Sequence, residues 1–77
     1  MRIYQKISES EEKAVYEYLW GSYKKPFTGL VEINKKANSA SVLKPADNEW
    51  SAEKAGAYAL LALPKNNYPQ RYTHTAV

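Results

Sequence analysis

The chain is 77 residues long with 34 apolar residues; ten of these are Ala and ten aromatic, leaving fourteen Val, Ile, Leu and Met to fill a core. That suits one compact domain over 1–77 and excludes a two-site enzyme, because so short a chain buries little more than half of the surface its unfolded form exposes. The absence of Cys rules out disulfides and thiolate metal sites, and a net charge of +3 is far below that of a protein that only coats polyphosphate.

Arg2 to Ile7 leans towards a strand, and Ser8-Glu9-Ser10-Glu11 matches the S-x-x-E capping box that opens a helix. A helix over about residues 9–20 is expected, with Glu9, Glu11 and Glu12 at the positive end of its dipole and Gly21 as its stop. Lys24-Lys25-Pro26-Phe27 reads as a connector, since Pro26 pushes its predecessor out of helical geometry. Leu30 to Ile33 and Ser41 to Leu43 are two strands joined by the polar loop 34–39, the clearest hairpin in the chain. Pro45 closes the second of them. Asp47, Asn48 or Ser51 then caps a second helix that ends before Pro64, although Tyr58 to Leu63 has the composition of a buried strand as much as of a helix end; its Ala content favours helix. After a loop carrying Pro64 and Pro69, Arg71 to Val77 alternates and reads as a last strand. The predicted order is β-α-β-β-α-β, an α+β two-layer sandwich of ferredoxin-like topology with an antiparallel sheet. Topology of this kind assigns no function.

Catalytic parts are few. His74, the one histidine, sits between Thr73 and Thr75 and needs an orienting carboxylate from elsewhere to act as a base. The crowded Glu9, Glu11 and Glu12 are explained by helix capping, and His74, Asp47 and the scattered Glu show no metal-ligand spacing. A non-enzymatic protein without metal or cofactor is expected.

Two surfaces remain. On a helix over 9–20, Ala14, Val15, Tyr18 and Leu19 face the core, while Tyr16, Trp20 and Tyr23 form a second stripe of the kind that inserts anchors into a partner. Lys24 and Lys25 would stand at its rim and steer association. The alternative is a nucleic-acid surface: residues 18–46 carry Lys24, Lys25, Lys35, Lys36 and Lys44 against Glu32 alone, so the connector and the hairpin tip could contact the phosphates of RNA or a single strand. The strand Ser39 to Leu43 lacks the stacking aromatics of an RNA-recognition motif. Trp50 and Tyr68 would add to either surface, and the second helix, apolar nearly all round, admits a homodimer. No apolar run approaches the roughly 20 residues that cross a bilayer, and residues 1–12 lack the apolar segment of a signal peptide, so a soluble, cytoplasmic chain is expected. The sequence thus points to a small regulator or inhibitor that occupies a surface of a partner protein, a type often encoded by phages or mobile elements.

Overall fold

The computed structural model describes residues 2–21, 26–47, 51–65 and 67–74. Four strands follow one another, β1 (Arg2–Glu9), β2 (Lys13–Trp20), β3 (Gly29–Asn34) and β4 (Ser39–Lys44), before a single helix α1 (Ala52–Ala62) and a short β5 (Arg71–His74). They form one antiparallel sheet in the order β4-β3-β2-β1-β5. The β-α-β-β-α-β order and the ferredoxin-like fold are therefore corrected: the segment 9–20 expected to be the first helix is the end of β1, a turn and strand β2, and the described residues are mostly sheet with one helix.

The reason lies in residues 8–20. Ser10 does not cap a helix; its N–H donates to the Lys13 carbonyl (2.7 Å) and its hydroxyl accepts from the Lys13 N–H (3.1 Å), closing a β1–β2 hairpin. In β2, Ala14, Tyr16 and Tyr18 fall on one face at the strand's period of two and are almost completely buried. Aromatic and β-branched residues fit a pleated, half-buried surface, and here that preference outweighs the acidic first turn. Gly21, at φ +107°, ends the strand in a backbone conformation that side chains disfavour.

The other elements lie where the sequence places them. β3 and β4 pair from Asn34↔Ser39 upward, with the Asn34 side chain accepting from the Ala37 N–H (2.9 Å) and Asn38 taking a positive φ of 52° in the turn. Ser51 caps α1, its hydroxyl accepting from the Lys54 N–H (3.3 Å). The stretch 58–62 is helix and β5 covers 71–74 of the strand expected over 71–77, whose last three residues lie outside the described residues.

The core is arranged unusually between its two layers. The sheet supplies the volume, as Tyr4, Tyr16 and Tyr18 with Val31 and Ile33, and the helix supplies small side chains, as Ala55, Ala59 and Ala62. Tyr4 meets Tyr16 edge-on at 6.3 Å and lies tilted over Tyr18 at 5.9 Å. Helical alanines let α1 approach β4 and β3 closely over this layer of rings. On the opposite face of the sheet Ile3 and Leu19 pair across β1 and β2 and are buried too; the connector before β3 reaches that face, for Phe27 lies 5.9 Å from the Arg71 guanidinium.

Candidate functional site

One bulge builds the polar end of the molecule. Lys6 pairs with Tyr16 and Ser8 with Val15, so Ile7 is an extra residue in β1. A one-residue slip exchanges faces. It brings Glu9 to the face that carries Lys6, and Lys35, just beyond β3, arrives there as well. Glu9 then accepts from Lys6 Nζ on one oxygen and from Lys35 Nζ on the other, each at 2.5 Å. Lys6 Nζ also donates to the Tyr68 carbonyl (2.9 Å), and Lys35 Nζ to the Ser10 carbonyl (2.8 Å), with the Tyr68 ring 5.0 Å away. Gln70 adds a backbone and a side-chain hydrogen bond to Lys6. The cluster ties the α1–β5 loop to two hairpins, and holds Tyr68 at a φ of +34° that a bulky residue seldom adopts. Beside it lies an open cleft of about 520 Å³ lined by Glu9, Lys35, Asn38, Lys65, Asn67 and Tyr68.

The two ammonium groups hold the Glu9 carboxyl below the usual carboxylate range, chiefly through the hydrogen bond from Lys35 and then that from Lys6. A carboxyl whose folded pKa is depressed contributes stability above its unfolded pKa of about 4, and that contribution is lost as the pH falls through the lower folded value. Glu9→Gln should therefore flatten the acid limb of a stability–pH curve measured by denaturant unfolding, leaving its shape around neutral pH as it is. An unchanged acid limb would show that Glu9 is solvated in the folded state.

The residues expected to contact partners are dispersed. Tyr16 is fully buried, its hydroxyl donating to the Pro69 carbonyl at 2.7 Å. Trp20 is half-buried on the same face of β2, with the Arg2 guanidinium 5.5 Å from its ring. The helical stripe that joined Tyr16 to Trp20 does not exist, since 13–20 is a strand. Tyr23, Lys24, Lys25 and Trp50 lie outside the described residues. Lys35 is engaged in the Glu9 cluster, and the exposed Lys36 pairs with Glu12 at 3.2 Å. His74 stands on β5 opposite Arg2, with no carboxylate across the pair. Among the described residues no group of three His, Asp or Glu could hold a metal ion, and none of their helices is long and apolar enough to cross a membrane.

The second feature is the outer side of α1. Leu61 is 81% exposed and Tyr58 38%, and with Lys54 and Ala57 they line a shallow apolar depression. Ala57 also belongs to a groove of about 450 Å³ between α1 and β4, lined by Ala40, Val42, Glu53, Gly56, Ala57 and Leu60. The apolar surface thus runs across the helix from the sheet edge to Tyr58, whose ring lies 4.7 Å from the guanidinium of the buried Arg2. Tyr58 and Leu61 are absent from the stripe expected in the sequence, yet a signal for them was there. On a helical wheel Leu61 points well away from the small-residue stripe Ala55, Ala59 and Ala62, so one sheet cannot cover both.

Comparison of the chain with protein-family models, with curated proteins and with solved structures finds no match.

Proposed function

We propose that the chain is a non-enzymatic protein-binding domain, of the regulator or inhibitor kind, which occupies a surface of a partner through the outer side of α1. The observation that carries this is Leu61, left 81% exposed beside Tyr58 in a domain with few large aliphatic residues. Exposed apolar surface of this kind, flanked by charged residues such as Lys54 and Glu53, is characteristic of contact sites. The nucleic-acid alternative has less support, because Lys35 and Lys36 are paired with Glu9 and Glu12.

Leu61→Lys tests the proposal. No basic residue occupies the last turn of α1, so a lysine there is compatible with the helix dipole and stability should change by no more than about 0.5 kcal/mol. In co-purification with nuclease present, a protein partner retained by the wild type should be lost with Leu61→Lys, its affinity falling roughly tenfold or more. A set of co-purifying proteins that Leu61→Lys leaves unchanged overturns the proposal, and a partner that disappears on nuclease treatment moves the function to nucleic acid.

A further inference from the structure

We propose that the outer edge of β4, with the groove between β4 and α1, takes an extended segment of the partner protein as a sixth strand. This rests on the protein-binding function above and specifies how the partner is held. Among the described residues the strand order leaves β4 and β5 as the two edges, and in an antiparallel pair alternate residues of an edge strand turn their N–H and C=O groups away from the neighbour. β5 has four of the described residues and β4 six. Edge strands are commonly blunted by Pro, charge or a bulge. In β4 these devices stand at its far end, where the register shifts opposite Leu30 and Lys44 precedes Pro45. Ser39-Ala40-Ser41-Val42 carries none of them.

The groove gives that edge a place for side chains. Ala40 and Val42 point towards α1, and an added strand would set every second side chain beside them, between the sheet and the helix. Gly56 brings the helix near: a Cβ there would stand 3.6 Å from the Ala40 carbonyl oxygen and 3.6 Å from Val42 Cγ2. With Gly56 and Ala57 as its helical wall, the groove has room for branched aliphatic side chains, and Glu53 at its border favours a basic residue in the incoming segment. A second copy of the chain fits poorly. Pairing β4 with β4 would offer the groove only Ala40 and Val42, and the register shift that sets Lys44 opposite Leu30 turns that lysine to the other face of the sheet, away from Glu53. The occupant is therefore a foreign segment, extended, with aliphatic residues at alternate positions and a Lys or Arg near Glu53.

The full chain panned against a random-peptide display library supplies the probe, and a selected peptide is then titrated into the isotope-labelled protein. Selected sequences should alternate aliphatic residues and carry a basic one, and the amides of 39–42 should shift and gain protection from hydrogen exchange. Ala57→Trp, which fills the groove from an exposed helical position, should weaken binding about tenfold or more, and Glu53→Lys should remove the preference for a basic residue. Failure to select a peptide, or selected sequences without alternation, overturns strand addition. Shifts confined to the Tyr58 and Leu61 side, with the 39–42 amides unmoved and affinity lost in Leu61→Lys, overturn it while leaving the protein-binding function in place. Protected 39–42 amides and a doubled mass in the absence of peptide assign the edge to a second copy instead.

Discussion

Tyr16→Ala is expected to cost about 3 to 5 kcal/mol, the range for removing a large ring from a core, in a chain whose whole stability by size is about 4 to 12 kcal/mol. The ring is fully buried in the tyrosine layer and meets Tyr4 edge-on. Its hydroxyl holds the Pro69 carbonyl at 2.7 Å, so the same truncation releases the α1–β5 loop. Tyr16→Phe separates the two effects: it keeps the ring, loses the hydrogen bond and should cost about 1 kcal/mol. The phenol also leaves a mark at high pH. Burial, then the negative charge of Glu9, then Tyr68 push its pKa up to about 12. An unfolded tyrosine ionises near 10, so the stability tied to this proton is complete below about pH 10 and is lost as the pH rises towards the folded value. Denaturant unfolding of the three proteins across this range should show Tyr16→Phe with a shallower alkaline decline than the wild type. If Tyr16→Ala proves no worse than Tyr16→Phe, the ring is not part of the core.

Parts of this arrangement could be read from the sequence because local chemistry and tertiary packing agree there. The β3–β4 hairpin follows from two β-branched runs around a polar loop, and α1 from its alanines and a serine cap; the structure realises both. Residues 9–20 are where the two disagree. Glu9 and Glu11 after Ser8 have the chemistry of a helix start, yet Glu9 is used to gather Lys6 and Lys35, one close in sequence and the other from a different hairpin. The period-two alternation Ala14, Tyr16, Tyr18, Trp20 was equally present, and it describes the buried face of β2. A helical wheel drawn on the same residues separates Tyr16 from Tyr18, so helical periodicity places two core rings on different surfaces. The bulge at Ile7 has no local signal at all, and without it Glu9 would point to the other face of the sheet. The proposed contact surface is legible only in outline, as a helix apolar on more sides than one sheet can cover.

Gly29→Ala should be the most damaging substitution for its size. Gly29 pairs with Tyr18 across β2 and β3, and the Tyr18 ring lies directly over its Cα, so an added Cβ would collide with ring atoms Cε1, Cζ and Cδ1. A glycine within a strand often marks such a close approach. The ring has nowhere to go. Its hydroxyl accepts from the Ala46 N–H at 3.1 Å, fixing the segment that leads from β4 to α1, and its face is against Tyr4. Overpacking alone costs about 1 to 3 kcal/mol; shifting the ring also strips the buried Ala46 N–H of its acceptor, at about 1 to 3 kcal/mol more. The sum approaches the stability of the domain, and denaturant unfolding should find Gly29→Ala marginally folded or unfolded. A double-mutant cycle with Tyr18→Leu assigns the cause. Once the ring is gone, the Cβ has space, and Ala gains about 0.5 to 1 kcal/mol over Gly in a strand because its unfolded chain is less free. In the Tyr18→Leu background Gly29→Ala should accordingly turn from destabilising to neutral or stabilising. A cost that stays the same whatever occupies position 18 would place the constraint in the backbone of β3 rather than under the tyrosine ring.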